Sequence, residues 1–348
     1  MAGGSVERVV DPKRWQRICE VFEAARNLHG AARDAVVASV PDVADEVREL
    51  LAQHETRGGI LGDETTDFEI DERVGAYRIQ CVLGRGGMAT VYLADGPDGP
   101  VALKRLHPIL FREPDFRERF RREAALGTRI QHPNVIRTLG VEGEDCLLME
   151  FVEGQTLREI VEARGPLPEG LCRHIGREIA LGLEAIHASG AIHRDLKPAN
   201  VILMADERLK VMDLGIALSM NDLMRLSRTG DFVGTARYSA PEQLVPAKAE
   251  VDGRTDLYAL GLLLYELAAG HHPIPGGGLV TTMRAQLETM PERLRERNGN
   301  VSAFFEALVH ALIAKRPEGR LESAALVASI LEAGEEGDWW QEHPDRTG

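Results

Sequence analysis

The sequence predicts an α+β protein in which strands come first and helices follow, led by a short helical segment. Three observations carry this. Tyr77 to Leu83, Val101 to Lys104 and Leu147 to Val152 are apolar runs of strand length. Leu257 to Leu264 is an apolar run that ends near Glu266 and reads as a buried helix. Over residues 11–54 apolar side chains recur every three or four positions, the spacing of one helical face.

The chain has 348 residues, of which 44% are hydrophobic and 28% charged, as expected of a globular protein and not of a disordered one. A net charge of −14 argues against general nucleic-acid binding and against an electrostatic hold on acidic membranes. Arg117, Arg119, Arg121 and Arg122 form a local basic run, which on a helix reads as a solvated face. No stretch approaches the ~18 uninterrupted apolar residues of a membrane span, and the start lacks a basic-then-apolar leader. Cys19, Cys81, Cys146 and Cys172 are widely spaced, without a C-x-x-C pair. That disfavours a disulfide framework or zinc site and points to a reducing, cytoplasmic setting.

The elements follow in order. Trp15, Ile18, Phe22, Ala25 and Leu28 make one apolar stripe, which Gly30 ends. A second helix is predicted over Ala31 to Ser39. Pro41-Asp42 opens a third, with Val43, Val47, Leu50 and Leu51 on one face. Short helices of this kind pack together or dock on a neighbour. Residues 1–55 thus form a helical extension. Residues 56–73 read as a linker, with Gly58, Gly59 and Gly62 ahead of an acidic run. A compact domain is expected over 74–333 and a polar tail over 334–348.

Within that domain the chemistry is concentrated in a few places. Gly84-Arg85-Gly86-Gly87 lies between two strand-like runs, where glycine lets backbone N–H groups approach phosphates. The strand–strand setting disfavours a Rossmann turn, and no Gly-Lys-Ser/Thr follows to make a Walker loop. His193-Arg194-Asp195-Leu196-Lys197-Pro198-Ala199-Asn200 puts a base, a cation and a metal ligand in one loop, and Asp213-Leu214-Gly215 follows. Phosphoryl transfer to a hydroxyl needs such a set. Asp195 can accept the hydroxyl proton and Lys197 can neutralise charge on the moving group. Asn200 and Asp213 offer the hard oxygens that Mg²⁺ prefers.

These motifs, with Val101-Ala102-Leu103-Lys104, His132-Pro133-Asn134-Val135 and Gly234 to Glu242, resemble those of a bacterial eukaryotic-like (Hanks-type) serine/threonine protein kinase over residues ~74–333. The resemblance implies a bilobal protein-kinase-like fold, with a five-stranded antiparallel sheet plus one helix in the smaller lobe. The larger lobe would be helical, and ATP with Mg²⁺ (Mn²⁺ as an alternative) would sit between the lobes. Lys104 would hold phosphates and pair with Glu123. Ala89 stands where the family's third glycine falls. Met149 would guard the back of the adenine pocket, the backbone of Glu150 and Val152 would bond adenine, and Leu83, Val91, Ala102 and Ile202 would sandwich it. Gly84, Gly86 and Gly87 would cradle the phosphates. Thr235 would bond Asp195 and Lys197, Glu242 would pair with Arg320, and Asp256 would accept backbone N–H bonds from the catalytic loop. Arg194 is expected as a buried arginine beside the base, with phosphorylated Thr229 or Ser227 as its anion.

The expected partners are proteins with Ser/Thr acceptors, with a homodimer as a further option. A pseudokinase scaffold is the alternative function, and Lys104, Glu123, Asp195, Asn200 and Asp213 speak against it. A small-molecule phosphotransferase is disfavoured by the Gly234–Glu242 platform, which in the family holds an extended peptide. Gly127 is an oddity, because the family usually has a bulky apolar residue there. Its absence predicts a loosely held Glu123 helix, steadied by residues 11–54 or by a second copy.

Overall fold

The computed structural model describes residues 17, 21, 24–25, 28, 30–44, 47–48, 51, 68–86, 88–214, 236–244 and 251–343. Helix α1 (Ala31–Ala38) belongs to the N-terminal segment. The folded domain is already anchored at Phe68, earlier than the linker expected over 56–73 would allow. The Phe68 ring meets Tyr92 at 5.3 Å and carries the Arg105 guanidinium 4.0 Å above it.

Six antiparallel strands follow: β1 (Arg73–Val74), β2 (Tyr77–Arg85), β3 (Ala89–Gly96), β4 (Gly99–Leu106), β5 (Thr138–Glu142) and β6 (Cys146–Glu150). Their order is β1-β2-β3-β4-β6-β5. The sheet has one strand more than expected, because the two-residue β1 pairs with the start of β2 at the edge. Side chains alternate between faces, as the strand period of two requires. Leu103 and Leu148 pack on one face with Ile79 and Tyr92. Ala102, Leu147 and Met149 face the other way, against Phe116, Phe120 and Ala124.

Between β4 and β5 lie α2 (Pro108–Phe111) and α3 (Pro114–Gly127). Phe116, Phe120, Glu123, Ala124 and Gly127 are buried along one stripe of α3, while Arg121 and Arg122 are exposed. The basic run is therefore a solvated face, as its sequence setting predicts.

The larger lobe opens with β7 (Gln155–Thr156), α4 (Leu157–Arg164) and α5 (Glu169–Ala188). A reciprocal cap starts α4: Thr156 Oγ1 accepts from the Glu159 amide at 3.2 Å, and the Glu159 carboxylate accepts from the Thr156 amide at 2.7 Å. Strands β8 (Val201–Leu203) and β9 (Leu209–Val211) complete a small sheet with β7. Then come α6 (Pro241–Leu244), α7 (Arg254–Ala269), α8 (Leu279–Glu288), α9 (Leu294–Arg297), α10 (Ala303–Leu312), α11 (Ala324–Ala333) and α12 (Asp338–Gln341). Helix α7 is apolar nearly all round and buried nearly all round, the central rod of this lobe. Residues 334–343 are not a tail: Trp340 is buried in the lobe core, edge-on to Phe304 at 5.8 Å. Among the described residues no helix is long and apolar enough to cross a membrane.

The N-terminal segment docks on a neighbour. Val43, Val47 and Leu51, spaced four apart, are buried together with Ala25 and Val37 against the helical lobe. Their partners include Ala236, Leu244, Leu279 and Met283. Trp15, Ile18, Phe22 and Leu50 lie outside the described residues.

The expected Glu242–Arg320 pair is bidentate, at 2.6 and 2.9 Å, with side chains 2% and 0% exposed. Arg320 also donates to the carbonyls of Arg254, Ala314 and Lys315, and Thr255 donates to Glu242 at 2.9 Å. Both charges are fully bonded, so removing one strands the other. Arg320→Ala is expected to cost ~3–5 kcal/mol. Urea unfolding of the purified variant tests this, and a loss below ~1 kcal/mol would contradict the value of a satisfied buried pair.

Candidate active site

Three elements distant in sequence converge on Lys104. Its Nζ lies 2.8 Å from Asp213 Oδ1 and 3.4 Å from Glu123 Oε1. Strand β4 presents the lysine, α3 the glutamate, and the turn after β9 the aspartate. Burial opposes the ammonium, yet the two carboxylates outweigh it and hold Lys104 protonated well above its ordinary range. Burial pushes Asp213 up, but the closer contact with Lys104 wins and leaves it below the usual carboxylate value. For Glu123 burial dominates and raises it; Lys104 opposes, and the charge of Asp213 adds to the rise.

The catalytic-loop set is also assembled. Lys197 Nζ donates to both oxygens of Asp195, at 3.0 and 2.8 Å. Asn200 Nδ2 donates to the Asp195 carbonyl at 2.8 Å and to its Oδ2 at 3.0 Å. With both bonds made through Nδ2, Asn200 Oδ1 remains an uncommitted acceptor among the described residues. Asp213 Oδ2 does too, since Lys104 takes Oδ1. Two free oxygens on adjoining segments suit a hard cation that keeps waters and phosphate oxygens as its other ligands. Among the described residues no cluster of three or more His, Cys, Asp or Glu competes with them for a metal.

The loop is pinned from behind. Asp256 accepts from the amides of His193 and Arg194, both at 2.8 Å, and its Oδ2 lies 2.7 Å from His187 Nε2. Buried His193 takes the Asp195 amide on Nδ1 at 3.3 Å, so its Nε2 carries the hydrogen donated to the Met212 carbonyl at 3.0 Å. Arg194 and Asp213 both hold positive φ, 65° and 58°. Such backbone costs ~1–3 kcal/mol each and persists only when neighbours over-determine it. The Asp256 and Lys104 contacts supply that constraint.

Arg194 departs from expectation: it is exposed, not buried beside the base. Its left-handed backbone, tied by its N–H to Asp256, turns the residue outward. Thr229, Ser227, Thr235 and Gly87 lie outside the described residues.

The apolar pocket is partly as predicted. Ala102 and Met149 are buried, and Val91 and Val152 pack against the same cluster. Leu83 is 45% exposed above them. Ile202 lies on β8 beneath the connector; Gly154 permits this, because a Cβ there would sit 2.6 Å from Ile202 Cγ2. The Glu150 amide already donates to the Arg137 carbonyl at 3.0 Å. Only its carbonyl is left to meet adenine, while its carboxylate accepts from Lys210 at 2.5 Å. A Cβ added at Gly84 would meet nothing within 4 Å, so open space lies where a phosphate chain would pass.

Sequence reasoning missed several residues. Met212 packs against the pocket cluster, and its place just before Asp213 was the available signal. Gln243 Nε2 donates to the Arg194 carbonyl at 3.0 Å, tying the segment ending at Leu244 to the catalytic loop. His187 faces Asp256 from far along the chain, with no local signature.

Gly127 overturns the loose-helix expectation. A Cβ there would fall 2.9 Å from Thr138 Cβ, so α3 lies flush on β5 and the glycine is what permits it. A small cavity lined by Glu123, Thr138, Met149 and Leu214 remains beside this contact. The described buried residues of the N-terminal segment, Ala25 to Leu51, dock on the other lobe, and none of them shares a cluster with α3.

The sequence model described as "Protein kinase domain" matches residues 77–331. The chain therefore belongs to the protein kinase domain family. Its relatives place it in the bacterial eukaryotic-like, or Hanks-type, serine/threonine branch. It is 37% identical over 277 residues to serine/threonine-protein kinase PknB of Mycobacterium leprae, covering 77% of this chain and 44% of that protein. It is 35% identical over 286 residues to PknA of Corynebacterium glutamicum, covering 78% of this chain and 60% of that one. To PknB of Mycobacterium tuberculosis it is 34% identical over 278 residues, covering 77% and 44%. The chain thus spans about half the length of the curated relatives it matches.

Gly127→Leu is expected to destabilise the protein by ~1–3 kcal/mol through overpacking against Thr138, and to lower activity. Adding Thr138→Gly should recover part of the loss, since the two positions share one space. Thermal unfolding of single and double variants measures both effects. A Gly127→Leu protein as stable and active as wild type would show that the space can be found elsewhere.

Proposed function

We propose that this chain transfers the γ-phosphoryl group of ATP to serine or threonine hydroxyls of protein substrates, in the cytoplasm. The observation that carries the reading is the Asp195 carboxylate, held by Lys197 and Asn200 beside a Lys104–Asp213 contact of 2.8 Å. A scaffold without chemistry has no need of either. Asp195 accepts the proton of the incoming hydroxyl. Lys197, already bonded to both of its oxygens, is in reach of charge that develops on the transferring group. Lys104 holds the α- and β-phosphates, and Glu123 restrains it from behind. Met149, Ala102, Val91 and Met212 exclude water from the adenine end, with the Glu150 carbonyl and Val152 for its hydrogen bonds. Asn200 and Asp213 would hold the divalent cation, Mg²⁺ or Mn²⁺, which supplies charge neutralisation across the phosphates when bound.

Asp195→Asn keeps the shape and the Asn200 bonds but loses the base. Phosphate transfer to a generic basic protein from labelled ATP should fall by at least ~10²-fold, with ATP affinity nearly unchanged. Wild-type transfer by that variant would remove Asp195 from the role of base.

Regulation by phosphorylation of Thr229, with Ser227 beside it, belongs to the same proposal. The exposed guanidinium of Arg194 is accessible to an anion of nearly two negative charges. The double variant Thr229→Ala, Ser227→Ala should phosphorylate added substrate more slowly than wild type. Mass spectrometry that finds fully active enzyme without phosphate between residues 215 and 235 would overturn this.

A further inference from the structure

The N-terminal segment sits on a particular part of the helical lobe. Its buried residues Val43, Val47 and Leu51 share one apolar cluster with Ala236, Leu244 and Met283. Ala236 and Leu244 bound the described stretch 236–244, which is tied to the catalytic loop: Gln243 donates to the Arg194 carbonyl, and Glu242 is fixed by Arg320. On the phosphoryl-transfer reading above, on which this inference rests, that stretch is where an extended protein substrate must lie to reach Asp195. The segment therefore covers both ends of the approach.

Two features mark the cover as one that lifts. It is joined to the folded domain through residues 52–67, whose sequence is rich in glycine and acidic residues, a linker composition. It is also partial. Leu279, Met283 and Leu287 lie four apart on α8, one stripe; the first two are under the segment, while Leu287 stays 38% exposed. An incoming chain has a foothold on the same stripe.

We propose that the segment carrying Ala25, Val37, Val43, Val47 and Leu51 is a cover, acting in cis, over the protein-substrate approach formed by 236–244 and α8, and that protein substrates compete with it. A cover seated nine-tenths of the time would raise the apparent KM for a protein substrate roughly tenfold without touching ATP binding.

The test uses the full chain. Val43→Glu with Val47→Glu puts two carboxylates into a fully buried apolar contact and should release the segment, because neither has a bonding partner there. Hydrogen exchange at residues 31–44 should rise. With myelin basic protein as the probe, KM should fall several-fold, up to roughly tenfold, with the KM for ATP unchanged. Leu51→Glu should act in the same direction and guards against an effect peculiar to the valine pair. If the segment is released and KM for the protein stays the same or rises, the cover is only a structural brace and the proposal is wrong. Repression that disappears on dilution of the wild-type chain would assign the cover to a second copy and overturn the cis form. If neither wild type nor variant transfers phosphate to any protein, the catalytic reading fails and takes this proposal with it. Equal transfer by both, with the segment released, overturns the cover alone.

Discussion

Lys104 carries one positive charge between a buried carboxylate, Glu123, and a half-buried one, Asp213, and three separately folded pieces meet on it. The sheet supplies the lysine, α3 the glutamate and the strand pair of the larger lobe the aspartate. Glu123 is largely removed from water and Asp213 partly so, and each is stabilised there by a cation close by. One lysine cannot fully neutralise both. The closer contact goes to Asp213, which is held below its usual value, and Glu123 is left raised. The residual negative charge is a reason for a further cation to enter, and Asp213 and Asn200 each keep an oxygen uncommitted among the described residues. Moving any one of the three elements breaks the arrangement, so the relation between lobes and the readiness of the site are one constraint.

The helical lobe supplies a second constraint of the same kind. Catalytic-loop backbone at Arg194 is left-handed, a conformation a non-glycine residue does not keep unaided. A buried aspartate from α7 takes two successive amides of that loop and meets a histidine besides. His193 then ties the loop to the Met212 carbonyl, one residue before Asp213. Asp195, Asp213 and the central helix are thus linked by hydrogen bonds through buried groups, which would be costly to leave unpaired.

What was legible in the sequence is what chemistry forces to be local. Asp195, Lys197 and Asn200 must share one short loop to share one set of bonds, so their spacing is visible. The stripe of Val43, Val47 and Leu51 was visible because a buried stripe has a period. What was hidden depends on contacts across space. Gly127 looks like a missing side chain until Thr138, on another strand, is seen to fill the place. Trp340 looks like part of a polar tail until Phe304 is found beneath it. Arg194 reads as a buried partner for an anion, but the handedness of its backbone, set by Asp256, turns it out. Glu150 reads as a backbone donor, and only the register of β5 and β6 reveals that its amide is taken. In each case the residue type was read correctly, and the neighbour that decides its role lay in another element.

The N-terminal segment is the part of the chain where the helical period could be read but the destination could not. An amphipathic helix must bury its stripe, but nothing local says against what. The structure gives the answer in small apolar side chains, valine and alanine, meeting a leucine–methionine stripe on α8. Small side chains bury little area each, about 25 cal/mol per Å² of apolar surface, so a cover of this kind holds through the sum of modest contacts. The lobe core beneath it is a separate cluster, built on α5, α7, α10 and α11, none of which supplies a residue to the segment's apolar cluster among the described residues. Removing the segment would therefore expose an apolar face without dismantling the site. A face that is tied to the loop bearing Asp195 and continues past its own cover offers room for more than one occupant.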